Sequence, residues 1–132
     1  VRADGALFRG DRLIDRDVHN ELAEAAGGAL AYTRVMQWPV SDVWRVDGEG
    51  APRRVSTDQR SDRPVFLPDG RLVWISGAGG RAHWVLEGAR LCPDGLPVPA
   101  RPEHTRVEAG EIVFDAGDRA LRLDPKTCEI RE

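Results

Sequence analysis

At 132 residues and a formal net charge of −3, the chain carries no electrostatic footprint for nucleic acid. Charged residues make up 31% and hydrophobic residues 41%, the balance of a globular chain that can bury a core rather than of a disordered one. No apolar run approaches the roughly 20 residues that a membrane-spanning helix needs.

The chain opens on Val1 with polar and charged residues following, so no secretory leader is expected in it, and a mature form with something removed fits that start. Lys126 is the only lysine, the remaining basic charge being arginine. Ala6-Leu7-Phe8-Arg9, a turn at Gly10-Asp11 and Arg12-Leu13-Ile14 read as two short strands. Residues 17–26, Asp-Val-His-Asn-Glu-Leu-Ala-Glu-Ala-Ala, have the composition of a short capped helix. Their place in the repeat described below is that of a strand, and strand is the expectation. Tyr32, Val35, Trp38 and Val40 run through the next strand and its loop, which Met36-Gln37-Trp38-Pro39 is expected to lengthen.

Between Arg63 and Gly88 the turn signals are strongest. In Leu67-Pro68-Asp69-Gly70, proline presets φ, aspartate can bond its own backbone and glycine tolerates positive φ. Leu72-Val73-Trp74-Ile75 is a continuous apolar run of strand-preferring residues, expected to be buried on both faces. Gly77-Ala78-Gly79-Gly80 lacks the Lys-Ser/Thr of a phosphate loop and reads as a reversal into His83-Trp84-Val85-Leu86. Pro93 to Pro102 is a proline-rich connection, and Thr105 to Ile130 forms a compact last unit.

These segments repeat. Gly28-Ala29-Leu30-Ala31-Tyr32, Gly70-Arg71-Leu72-Val73-Trp74 and Gly110-Glu111-Ile112-Val113-Phe114 share one spelling, with a period of about 40 residues, the range of propeller blades. A second column, Val43 to Gly48, His83 to Gly88 and Ala120 to Pro125, is expected to keep the same register. The fold class expected is all-β: about three antiparallel β-propeller-like blades plus an N-terminal half blade. The single repeat domain divides into a half blade over 1–18 and blades over 19–57, 58–100 and 101–132. Closed propellers use roughly four to eight blades, so this is an incomplete or oligomer-completed propeller.

Asp62-Arg63-Pro64-Val65-Phe66-Leu67-Pro68-Asp69-Gly70-Arg71-Leu72-Val73-Trp74-Ile75-Ser76 resembles the D-x-x-P-x-W-S-P-D-G-x-x-I-x-F blade of the TolB-type, WD40-like (PD40) β-propeller repeat family. Phe66 stands where the family has Trp and Leu67 where it has Ser. The first blade has Gly27-Gly28 and the third Glu108-Ala109-Gly110 in place of Pro-Asp-Gly. The resemblance implies a propeller fold and a periplasmic or extracellular bacterial setting. It does not imply an activity.

No catalytic constellation stands out. His19, His83 and His104 fall in different repeat units, so no metal site is expected, and Asp47, Asp69, Glu87 and Asp124 read as turn residues rather than calcium ligands. No Gly-x-Ser-x-Gly elbow is present. Cys92 and Cys128 are a candidate disulfide, with two separate thiols as the alternative. Trp44, Trp74 and Trp84 are assigned to the core, which leaves Trp38, in a loop before Pro39, as the candidate binding residue. The function expected is a non-enzymatic protein-interaction or scaffold module, without a cofactor, that binds a protein partner or itself through loops or exposed sheet edges. The alternative is a carbohydrate-binding or glycoside-processing propeller with carboxylates on the loop face.

Overall fold

The computed structural model describes residues 4–37, 40–77, 83–87, 104–116 and 118–132. Its strands are β1 (Leu7–Arg9), β2 (Arg12–Asp15), β3 (Val18–Glu24), β4 (Leu30–Gln37), β5 (Val40–Val46), β6 (Arg53–Arg54) and β7 (Ser61–Phe66). They continue with β8 (Leu72–Ser76), β9 (His83–Leu86), β10 (Thr105–Glu108), β11 (Glu111–Ala116), β12 (Arg119–Leu123) and β13 (Ile130–Arg131). Among the described residues there is no helix, so none crosses a membrane. The segment of helical composition, 17–26, is strand β3 over most of its length. Pairing with β4 on one side outweighs its alanine-rich helix propensity.

The strands form four antiparallel sheets in chain order: β1-β2, β3-β4-β5-β6, β7-β8-β9 and β10-β11-β12-β13. Each strand pairs with its sequence neighbour, so every sheet is a meander, and the next sheet begins again at its inner strand. The apolar letters of the repeat explain the stacking. The second and third sheets each turn one set of alternate residues to the sheet before and the other set to the sheet after.

Three seams result. Leu7 of the first sheet meets Val18, Leu30, Tyr32 and Val46 of the second. Ala31 and Val43 of the second meet Phe66, Leu72 and Trp74 of the third. Val65, Val73, Ile75, Trp84 and Leu86 of the third meet Ile112, Phe114, Leu121 and Leu123 of the fourth. Strand β8 lies in the middle and is buried at all five positions. Arg45 adds a polar link across the second seam, donating to Asp47 (2.9 Å) and to Glu87 of the third sheet (3.0 Å) while its guanidinium lies over the Phe66 ring. Burial works against that charge, but the two carboxylates hold the Arg45 pKa above its ordinary value.

The first repeat column keeps its register. Leu30 and Tyr32, Leu72 and Trp74, and Ile112 and Phe114 all face the preceding sheet. The second column does not. Trp44 pairs with Tyr32 and Leu121 with Phe114, but Trp84 pairs with Ile75 instead of Trp74. A one-residue change in hairpin register turns a whole strand over. Trp84 and Leu86 therefore face the fourth sheet, whereas Trp44 and Val46 face the first. Trp44 is only half-buried, packed beside that seam with Arg34 stacked on its ring at 4.7 Å. The expected loop over 36–39 also needs correction, because Met36 and Gln37 extend β4 and Gln37 pairs with Val40.

Candidate interaction site: a groove at the inner-strand turns

In the second, third and fourth sheets a tight turn joins the inner strand to the second strand, and the turns of the second and third sheets line one groove. Two of them have the same geometry. In the second sheet Ala25 N donates to Ala29 O and Gly28 N to Ala25 O; in the third, Leu67 N donates to Arg71 O and Gly70 N to Leu67 O. Gly28 and Gly70 take φ of 92° and 88°, a left-handed conformation that glycine adopts without strain. In the fourth sheet the turn is shorter: Glu108 pairs with Glu111 across Ala109 (φ 51°) and Gly110 (φ 78°), a two-residue turn of the I′ kind.

A groove of about 380 Å³ runs between the first two turns. It is lined by Glu24 to Gly27, by Phe66 to Gly70, and by Val107 of β10. Phe66 and Leu67 contribute apolar surface to its lining, although both are nearly fully buried. Glu24 and Asp69 supply carboxylates. Asp69 accepts from Arg71 through its backbone N–H (3.0 Å) and guanidinium (2.6 Å), and the backbone bond is the main reason its pKa lies below the usual carboxylate value.

The opposite end is polar and internally satisfied. Asp42 is buried and accepts from Ser56 Oγ (2.7 Å), Gln59 N (3.0 Å) and Arg54 (2.5 Å). Ser56 Oγ in turn accepts from Val43 N at 2.8 Å. Asp58 accepts from Ser76 Oγ, from Ser61 Oγ at 2.7 Å and from Arg60 N at 3.1 Å. Partial burial raises the Asp58 pKa, but the hydrogen bonds from Ser76, Ser61 and Arg60 outweigh it and the net direction is down. These two carboxylates fasten the 56–60 link that joins the second sheet to the third.

Asp58, Asp69 and Glu108 are not held as general acids. Asp58, Asp69 and Glu108 all move down, Glu108 chiefly through its bond from Arg122. A glycoside hydrolase needs one carboxyl pushed up. Among the described residues, no group of three or more His, Cys, Asp and Glu side chains is placed to hold a metal ion.

Trp38 and Cys92 lie outside the described residues. Cys128 sits in the β12–β13 turn with φ 61°, donates its N–H to Asp124 O (2.8 Å) and packs against the third seam; it is not a free thiol. His83 is half-buried on the face of β9 opposite Trp84, while His104 is exposed and bonds the Asp115 carboxylate through its backbone N–H (2.8 Å). Asp47 and Glu87 are engaged by Arg45 and Arg53, and Asp124 accepts from Lys126 N at 2.8 Å. Of the groove residues, the sequence marks Gly27 and Leu67 to Gly70 as turn formers, and none as a binding residue. The signal for a site was there in the repeat, since equivalent turns of adjacent units must converge at one end.

Successive meander sheets, each packed face to face on the next and none closed on itself, define part of a β-propeller. The crystal structure of TolB from Acinetobacter baumannii has that fold: it superposes with a TM-score of 0.63 at 17% sequence identity, covering 91% of this chain. The match takes in 34% of the TolB chain, so this chain spans about a third of that protein's length. No family model and no curated protein matches the sequence.

Proposed function

We propose that this chain is a non-enzymatic protein-interaction module that takes a partner in the groove at its inner-strand turns. The observation that carries the reading is the groove itself: two turns of the same hydrogen-bond pattern from neighbouring sheets, with apolar Phe66 and Leu67 and acidic Glu24 and Asp69 in its lining. An apolar floor with a polar rim is the anatomy of a protein-binding patch. The carbohydrate-processing alternative has no comparable support, because hydrogen bonds hold Asp58, Asp69 and Glu108 below the usual carboxylate pKa. The TolB resemblance supports a periplasmic or extracellular setting. In that setting a Cys92–Cys128 disulfide is the natural state of the chain's two cysteines, and a thiol count of zero without reductant is expected.

The test is photo-crosslinking from a probe residue placed at Ala26, in the groove, and at Arg106, on the outer face of the fourth sheet. Saturable adducts with a protein from position 26 alone support the reading. Equal adducts from both positions, or none from position 26, contradict it.

A further inference from the structure

Every residue that lines the groove belongs to the second, third or fourth sheet or to a turn within one of them. The charge of the lining is one-sided. Glu24 and Asp69 are its ionisable groups, and no arginine, lysine or histidine is among them. The two carboxylates differ in what they already hold. Asp69 accepts from Arg71 on both oxygens, Oδ1 from the backbone N–H and Oδ2 from Nε. Glu24 is exposed and among the described residues meets one cation, Arg9, at 4.0 Å, too far for a hydrogen bond. Arg9 instead donates to the carbonyl of Gly28 at 2.7 Å. Glu24 is thus the loosely held charge of the groove. It shares the lining with exposed Ala26 and Pro68 and half-buried Val107, which are apolar.

We propose that the groove takes a linear segment of a partner protein in which an arginine or lysine stands next to an apolar side chain. The cation pairs with Glu24, and the apolar group lies against Ala26, Pro68 and Val107. This rests on the reading of the groove as the interaction site and names the chemistry of its partner.

Charge complementarity selects the cation. An acidic segment brings like charges together, and a purely apolar one covers Glu24 without giving it a partner, which costs desolvation. The pairing supplies selection more than affinity, because an exposed ion pair is worth little by itself. The apolar neighbour is therefore required, and the half-buried Val107 with the two exposed turn residues is where it gains contact. A volume of about 380 Å³ lies near the low end of ligand pockets, which suits side chains from a short segment and not a folded surface.

The probe is a random heptapeptide library, panned in parallel against the whole chain, Glu24→Gln and Glu49→Gln. Glu49 is an exposed carboxylate outside the groove lining, so its substitution makes the same charge change elsewhere. The expected result is a set of enriched peptides that share an arginine or lysine beside a branched or aromatic residue and are captured by the crosslinker at position 26. Such a peptide, synthesised and titrated, is expected to bind Glu24→Gln about two- to fivefold more weakly and Glu49→Gln unchanged, with affinity falling as salt rises. Peptides captured at position 26 that share no cation, or that bind Glu24→Gln as well as the parent chain, overturn the proposal and leave the groove reading standing. Enriched peptides that escape position 26, or no enrichment at all, contradict the groove reading and the proposal together. Adducts from position 26 to a second copy of the chain, lost in Glu24→Gln, overturn the partner assignment in favour of self-association.

Discussion

The Trp84 indole meets the Phe114 ring edge to face, with centroids 5.4 Å apart and planes inclined at 64°, across the seam between the third and fourth sheets. Both rings are almost completely buried, and this pair is the centre of the largest apolar cluster. Phe114→Ala is therefore expected to destabilise the fold by about 3–5 kcal/mol. Denaturant unfolding followed by tryptophan fluorescence measures it. Trp84→Phe is expected to cost less than a cavity of that size implies, because Trp84 Nε1–H is buried without an acceptor and its removal relieves a desolvation penalty of about 1–3 kcal/mol.

The sequence carries most of this architecture and misses the register of its second repeat column at Trp84. Turn residues and apolar columns were legible because glycine at positive φ and alternate burial leave local marks, as at Gly70 and Leu72 to Ile75. The flip of Trp84 was not legible. It depends on how residues between β8 and β9 are spent, and with a period of two a single residue decides the face. Asp42 and Asp58 were also invisible, since Ser56 reaches Asp42 from 14 residues away and Ser76 reaches Asp58 from 18, across strands that meet only in the fold. The groove was half legible: its turns were read one at a time, and their convergence follows only from the repeat taken as a stack.

The tight turn of the fourth sheet offers a stabilising substitution. Ala109 sits at φ 51° beside Gly110, where Asn-Gly is the preferred pair. Ala109→Asn is expected to raise stability by about 0.5–1 kcal/mol. Gly70→Ala, at φ 88° with open space around a new Cβ, is expected to lower it by about 1–2 kcal/mol through backbone strain alone. Paired thermal melts separate the two.

Tyr32 makes a clean optical probe of alkaline unfolding, because it is the chain's only tyrosine. Burial, and next the hydrogen bond from its hydroxyl to Asp15 (2.7 Å), push its pKa far above the ordinary value. A group raised in the folded state contributes stability that is intact below its unfolded pKa, about 10, and is lost as pH rises beyond it. Phenolate absorbance is expected to stay flat past pH ~10 and to appear only together with loss of the near-ultraviolet dichroism. Tyr32→Phe should remove this alkaline limb.

Asp58 governs the acid side by the opposite sign. Its folded pKa lies below the unfolded value, so its contribution is present above about pH 4 and is lost as pH falls through the lowered folded value. Asp58→Asn and Ser76→Ala are each expected to cost about 1–2 kcal/mol near neutral pH. Asp58→Asn should also flatten the acid limb of stability between about pH 4 and 2, read by urea midpoints at each pH.

The central claim is that the described strands stack as successive sheets within one chain and that a second copy does not complete the two-stranded first sheet. Light scattering with and without reductant tests that most directly. The account predicts the mass of one chain, 14.6 kDa, in both conditions, with the cysteines paired internally. A stable mass of two chains would contradict it, and would mean that copies of this chain complete each other's sheets.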